Sequence, residues 1–335
     1  MSEQYFYGHG KLLLTSEYFV LDGAKSIALP TKLGQRMHVK NRPSNNPKLF
    51  WKSFDTQSNC WFETSFELWH FNVLNESDEG LPEVVTLQKI LRQARKQNIH
   101  FLRDDLDVYV ETVLEFPITW GLGSSSTLVY NIAQWAYISP FELQAKTFKG
   151  SSYDIACAQS MGPITYQVRS RGPHWETILF NPVFKDNIYF VYSNKKQNSR
   201  EGIQRYKDLV GDNKDTLIKD LNRITDDILD CVDLKEFEEL IFEHEYIVAK
   251  AIDLPRIKDD QFTDYWGALK SLGAWGGDFL MATSHKSELE TKEYFHQLGH
   301  ETVFTFDELI LQNFQRLGGV LSLTEGELSH VGSQQ

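Results

Sequence analysis

Two kinds of hydrophobic patterning divide this chain of 335 residues. The first half carries short apolar runs and two-residue alternation. KLLLTSEYFVL (11–21) is apolar and aromatic-rich, and IALPTKLGQRMHVKN (27–41) alternates. LFWKSFD (49–55) and CWFETSFEL (60–68) flank the turn-forming TQSN. These segments predict strands, the last two as a hairpin. From Leu81 to Gln97 the period becomes helical, with Val84, Leu87, Leu91 and Ala94 on one face. DLDVYVETVLEF (105–116) predicts another strand. A Gly/Ser loop and an apolar helix, STLVYNIAQWAYI (126–138), come next, with Ser139-Pro140 as the stop.

ITYQVRS, ETILF and NIYFVYS predict further strands, and beyond Ser199 the texture changes. Ile203, Tyr206, Leu217, Leu221, Ile224, Ile228 and Val232 recur at helical spacing, as do Phe237, Leu240, Ile241, Ile247 and Val248. They predict three long amphipathic helices. YWGALKSL (265–272) reads as helical. FLMATS and ETVFTF are short strands around a helix from Ser287 to Leu298, which Gly299 caps. A strand-led half followed by a helix-led half predicts the α+β class, with a boundary near residues 170–190.

Composition narrows the function. Hydrophobic residues make up 41% and charged residues 24%, a globular composition. The net charge of −12 argues against nucleic acid as a partner, because phosphate-backbone binding needs a surplus of cations. A phosphorylated small molecule stays open, held by a few local donors. No apolar run approaches the ~20 residues of a membrane helix. The first residues, MSEQYFYGHGKLLL, lack the basic and apolar regions of a secretory signal. Cys60, Cys157 and Cys231 are few and far apart, which favours reduced thiols and a cytoplasmic location. No Cys/His spacing suggests a metal site.

Three loops carry candidate chemistry. In PITWGLGSSS (117–126), Gly121 and Gly123 permit positive φ and close backbone approach. Ser124, Ser125 and Ser126 then open a helix, where unpaired N–H groups and the dipole favour an anion. The plainer reading is a serine N-cap after a turn. In GSSYDIACA (150–158), Asp154 is either a helix cap or a buried functional carboxylate. GAWGGD (273–278) is either a simple turn or a place of close backbone approach.

Taken in order, these loops resemble the GHMP kinase superfamily. GHGKLLLTSEYFVLDGAKSIALP (8–30) matches its first motif, PITWGLGSSS its ATP loop and KSLGAWGGDFLMA (270–282) its third motif. GSSYDIACAQSMGPITYQV (150–168) is similar to the aspartate-bearing segment of the mevalonate and phosphomevalonate kinases, and NKKQNSREGIQRY (194–206) to their Lys-then-Ser/Thr helix start. A bacterial branch named for its G-Y-D-I-A motif, here S-Y-D-I-A, is the nearest resemblance. It implies a two-domain α+β fold: an N-terminal ATP-binding domain (1–180) with a left-handed β-α-β crossover, and a ferredoxin-like C-terminal domain (181–335).

The resemblance also implies residue roles. Lys11 and Asp154 would be catalytic, the aspartate accepting the hydroxyl proton. Gly121, Leu122, Gly123, Ser124, Ser125, Ser126, Gly273, Gly276 and Gly277 would bind ATP. Ser125 would contact Mg2+, with Glu142 as the one nearby acid able to add a carboxylate. Glu17, Tyr18, Lys195, Lys196, Ser199 and Arg200 would line the pocket of an anionic acceptor. The expected activity is transfer of the γ-phosphoryl of Mg-ATP to an alcohol or phosphate monoester of the mevalonate or phosphomevalonate kind. The alternatives are a non-catalytic nucleotide- or metabolite-binding homologue and an enzyme like mevalonate diphosphate decarboxylase. Departures from the pattern include Ser16 and Ser152 at usual glycines. Trp275 also replaces a glycine, and its indole would narrow the phosphate path or close over the nucleotide.

Overall fold

The structure, a computed structural model, describes residues 2–148, 150–195, 199–211 and 214–312, with only the backbone at 199 and 200. Its first half is built on a mixed seven-stranded sheet. β1 (Ser2–Leu13) and β2 (Ser26–Pro43) pair antiparallel, with a register shift between His9 and Lys11. β3 (Lys48–Phe54) and β4 (Cys60–Glu67) form the expected hairpin. After helix α1 (Pro82–Gln97), β5 (Leu106–Leu114) pairs parallel with β3 and antiparallel with β2. The chain then forms α2 (Ser124–Trp135), α3 (Pro140–Thr147) and α4 (Tyr153–Gln159). β6 (Ile164–Arg169) and β7 (Gly172–Thr177) complete the order β4-β3-β5-β2-β6-β7, with β1 on β2.

The second half adds β8 (Ile188–Tyr192), then α5 (Ser199–Leu209), α6 (Lys214–Asp230), α7 (Leu234–Ile252) and α8 (Ile257–Gln261). β9 (Leu269–Leu272), β10 (Phe279–Thr283), α9 (Glu288–Gln297), β11 (Val303–Thr305) and α10 (Phe306–Leu309) follow. The four strands form an antiparallel sheet in the order β11-β8-β10-β9. Among the described residues, no helix is long and apolar enough to cross a membrane.

Packing joins the halves. Leu12, Ile27, Leu29 and Leu122 share one buried cluster with Phe190, Ile224, Phe237, Phe279 and Met281. A separate cluster seals the first sheet against α1 and α2 through Val39, Trp51, Val110, Leu91 and Ile132. Burying such side chains contributes about 1.5–3 kcal/mol each. The shared cluster therefore holds the loops of the first half against those of the second.

Several predicted elements need correction. The apolar run 11–21 is not one strand, because β1 ends at Leu13 and Phe19–Asp22 form a 3-10 helix. The break lies at Ser16 and Tyr18, both with positive φ (65° and 62°). Tertiary contacts hold that conformation, so no local glycine marks it. Leu269–Leu272 is a strand and not the end of a helix; all four residues are buried, which removes alternation as a signal. The apolar helix begins at Ser124, two residues early, and stops at Trp135. ETILF contributes only Glu176 and Thr177 to β7, and Val232 lies beyond α6, exposed.

Candidate active site

The site begins with two glycines. Gly121 (φ 65°) and Gly123 (φ 92°) are left-handed, and Gly123 is the N-cap residue of α2. A Cβ on Gly123 would stand 2.7 Å from Ser126 Oγ and 3.2 Å from Lys11 Cγ. The loop is thus tight on its inner side, while Ser125 in the first turn of α2 is exposed. Leu122 anchors the loop: its side chain is fully buried and its carbonyl accepts the Lys11 N–H at 3.0 Å. That bond falls at the register shift in β1, which aims Lys11 toward the start of α2.

Asp154 lies in the first turn of α4 and is not its N-cap; Ser152, with φ 67°, holds that position. Asp154 is therefore not the N-cap residue, although its carboxylate accepts a first-turn N–H. Its Oδ1 accepts the Ile155 N–H at 3.1 Å, and Gln144 Nε2 lies 3.5 Å from Oδ2. Burial raises Asp154 above the usual carboxylate range, opposed by the nearby Lys11 ammonium, the Ile155 N–H and the Ser126 hydroxyl. Burial works against the Lys11 charge, but Tyr153, Asp154 and Asp278 outweigh it and hold the ammonium above the ordinary lysine value. Lys11 Nζ also lies 5.7 Å from the Tyr153 ring centroid, within cation–π range. Burial pushes the neighbouring Cys157 thiol well up, so it stays protonated.

The third loop closes over this group. Gly273 (φ 76°) and Gly276 (φ 68°) are left-handed, and a Cβ on Gly273 would stand 3.9 Å from Lys11 Nζ. A Cβ on Gly277 would meet the Ala274 carbonyl at 2.0 Å. Lys11, Asp154 and the two glycine loops are thus brought together from across the chain. The Trp275 indole does not enter the phosphate path. It is buried, packs in one cluster with Tyr18, Phe19 and Tyr206, and donates its Nε1–H to the Pro255 carbonyl at 2.9 Å.

The acceptor residues are placed less uniformly. Tyr18 Oη accepts the Trp275 N–H at 2.7 Å, and burial first of all raises its phenol to about 12. The start of α5 packs on the same ring, since a Cβ on Gly202 would lie 2.5 Å from Tyr18 Oη. Glu17 is fully enclosed: its Oε1 accepts Lys270 Nζ at 2.6 Å, so it lines no open pocket. Lys195 is exposed. Lys196 and the side chains of Ser199 and Arg200 lie outside the described residues. Glu142 is exposed in the first turn of α3, where Ser139 Oγ accepts its N–H. The α3 side chain that reaches Asp154 is Gln144, 5% exposed, whose Oε1 has no partner.

Sequence reasoning missed Gln144 and the approach of Asp278. A Cβ on Gly121 would stand 1.8 Å from Asp278 Oδ2, so this carboxylate lies directly against the glycine loop. Among the described residues, no three His, Cys, Asp or Glu side chains gather as a metal cage. The donors that are present fit Mg2+ nonetheless. They are the Asp154 carboxylate, the exposed Ser125 hydroxyl and the orphaned Gln144 Oε1, all hard oxygens.

No protein-family model and no curated protein sequence matches the chain. Solved structures do. Methanococcus jannaschii mevalonate kinase is 14% identical, with 93% of this chain and 99% of that one covered and a TM-score of 0.69. Streptococcus pneumoniae phosphomevalonate kinase, in complex with phosphomevalonate and AMPPNP, is 15% identical over 90% and 99%, with a TM-score of 0.66. Lactococcus lactis galactokinase, complexed with galactose, is 12% identical over 92% and 94%, with a TM-score of 0.63. The chain therefore has the GHMP kinase fold, an α+β architecture with a mixed sheet and a smaller antiparallel sheet.

Proposed function

We propose that this protein is an ATP-dependent small-molecule kinase of the GHMP type, with residues 1–180 and 181–335 as its two domains. It transfers the γ-phosphoryl of Mg-ATP to a hydroxyl or phosphate of a small anionic acceptor, of the mevalonate or phosphomevalonate kind. The S-Y-D-I-A segment associates it with the bacterial branch named for G-Y-D-I-A. The three cysteines are free, which supports a cytoplasmic setting. The observation that carries the reading is the meeting of Lys11 and Asp154 between two left-handed glycine loops at the start of α2.

Each residue then has a task. The N–H groups at the start of α2 receive phosphate oxygens, with the helix dipole in support. Asp154, raised above its ordinary value, accepts the acceptor's hydroxyl proton. Lys11 stays charged and offsets the negative charge of the transferring group. When bound, Mg2+ neutralises phosphate charge and orients the chain of phosphates. Asp154, Ser125 and Gln144 are the residues that would hold it. Tyr18 and the start of α5 form one wall for the acceptor.

The test is thermal stabilisation by Mg-ATP, followed by ADP release across mevalonate, phosphomevalonate and galactose. Stabilisation with acceptor-dependent ADP release is the expected result. Stabilisation without turnover on any acceptor would favour the non-catalytic binding reading.

A further inference from the structure

The turn that carries Tyr18 is held by a group of charges that the phosphoryl chemistry does not use. Glu17 of that turn, His244 and Glu245 of α7 and Lys270 of β9 meet in the interior, and none of their side chains is more than 2% exposed. Lys270 Nζ donates to Glu17 Oε1 at 2.6 Å, to Glu245 Oε1 at 3.2 Å and to the Ser271 carbonyl at 3.2 Å, which occupies its three protons. Glu17 Oε2 and Glu245 Oε2 are left without a partner. His244 Nε2 accepts the Ser16 N–H at 2.8 Å, so that nitrogen carries no proton, and Glu17 Oε2 stands 3.6 Å from it. The Tyr18 phenol also feels the Glu17 charge.

With both carboxylates ionised and His244 neutral, this enclosed group holds two negative charges against one positive. A buried charge without compensation is costly. One proton removes the imbalance, and the bare Oε2 atoms give it a place. Burial raises both carboxyls above their ordinary range, Glu245 to about 7. When the proton leaves, some part of the group must yield and admit water. His244 and Glu245 lie on a 19-residue helix and Lys270 on a sheet strand. Glu17 lies between Ser16 and Tyr18, two non-glycine residues at positive φ, a strained conformation that only its surroundings maintain. The turn is therefore the part that yields. Its movement reaches the acceptor wall, because Tyr18 Oη accepts the Trp275 N–H at 2.7 Å and packs against the start of α5.

We propose that the Lys270 group is a proton-controlled latch on the acceptor pocket. One proton on its carboxylates holds the Ser16–Tyr18 turn closed, and loss of that proton frees the turn and weakens acceptor binding. The inference rests on the kinase reading above, to which it adds a regulation by pH.

The test begins without a ligand. Hydrogen exchange, read by mass spectrometry and corrected for the intrinsic rate at each pH, compares residues 14–22 with β5. It is run at about pH 6 and about pH 8.5, on either side of the raised Glu245 value. In the wild type, protection of 14–22 should fall at least about tenfold at the higher pH while that of β5 holds. Glu245→Gln, with Glu17→Gln as the second variant, keeps the charges balanced at both pH values, so its protection should stay level. Melting curves check that each variant is folded. Unchanged protection in the wild type overturns the latch, and so does an equal fall in a folded variant. The second arm is KM for the acceptor, tried with mevalonate, phosphomevalonate and galactose. In the wild type it should rise at least about threefold at the higher pH with KM for ATP steady, and it should stay level in Glu245→Gln. A KM that ignores pH while exchange responds overturns the link to the acceptor. Absence of turnover on every acceptor overturns the kinase reading itself, and the exchange result still decides the latch.

Discussion

Lys11 and Lys270 each stand between two carboxylates, and their surroundings separate a working site from a structural clamp. Lys11 is flanked by Asp154 and Asp278, among glycines that leave room, with all three charges partly exposed. Lys270 lies 2.6 Å from Glu17 and 3.2 Å from Glu245, and its side chain has no exposure at all. The second group ties the strained Ser16–Tyr18 turn to the C-terminal half, and His244 Nε2 accepts the Ser16 N–H at 2.8 Å. Burial first, and then the Lys270 charge, press His244 well below the ordinary histidine value, so it serves as a neutral acceptor. The same residue types thus have different uses, decided by space and access: Lys11 can meet a ligand, and Lys270 can meet only its partners.

The sharpest way to break this contrast is Asp154→Asn. Turnover should fall roughly 10²–10⁴-fold, the usual range for a general base. AMPPNP affinity should fall far less than turnover, by the loss of one oxygen to the cation only, because the proton transfer matters most in the transition state. Steady-state kinetics beside calorimetry separates the two effects, and near wild-type turnover would leave the mechanism without a base.

The clamp should fail differently. Lys270→Met leaves Glu17 and Glu245 buried without a cation and should cost about 3–5 kcal/mol in denaturant unfolding. Lys11→Met should stay within about 1 kcal/mol of wild type. Equal losses in the two variants would erase the distinction.

How much of this was readable in advance depends on whether the signal was local. Gly121, Gly123 and the serines at the start of α2 were legible because turn and cap chemistry is written in neighbouring residues. Lys11 and Asp154 were placed by motif resemblance. The approach of Gln144 and Asp278 to the site is not legible, because α3 meets Asp154, and the residue before β10 meets Gly121, only through tertiary packing. β9 was misread for a related reason. Its four residues are buried on every side, and Leu269 and Leu272 happen to fall at helical spacing. Trp275 looked like an obstruction in the sequence, and only the pocket formed by Tyr18, Phe19 and Tyr206 shows where the indole goes.

Gly123→Val tests the space at the Lys11 site. The new side chain would be strained at φ 92° and would press on Ser126 Oγ and Lys11 Cγ. The strain costs about 1–3 kcal/mol of stability. At a temperature where the variant is folded, ATP affinity should fall more than about tenfold (~1.4 kcal/mol). Unchanged affinity by calorimetry would remove the loop from the nucleotide site.

The smallest effect concerns pH. Burial, with the Glu17 charge adding to it, raises Glu245 to about 7, against the pull of Lys270. A carboxyl raised on folding stabilises the protein below its unfolded value, and that contribution is lost as pH rises through the folded one. The melting temperature should therefore decline between about pH 4.5 and 7, from the ordinary to the raised value. Glu17, also raised by burial, adds in the same direction. Glu245→Gln should flatten the decline, as followed by calorimetric melts across the range, and an unaltered slope would assign it to other groups.

The central claim is that phosphoryl transfer takes place beside Lys11. Its most direct test follows γ-labelled ATP with a responsive acceptor, comparing wild type with Lys11→Met. The account predicts labelled product from the wild type and almost none from the variant, which still melts within a few degrees of wild type. Product formed at similar rates by both proteins would contradict it.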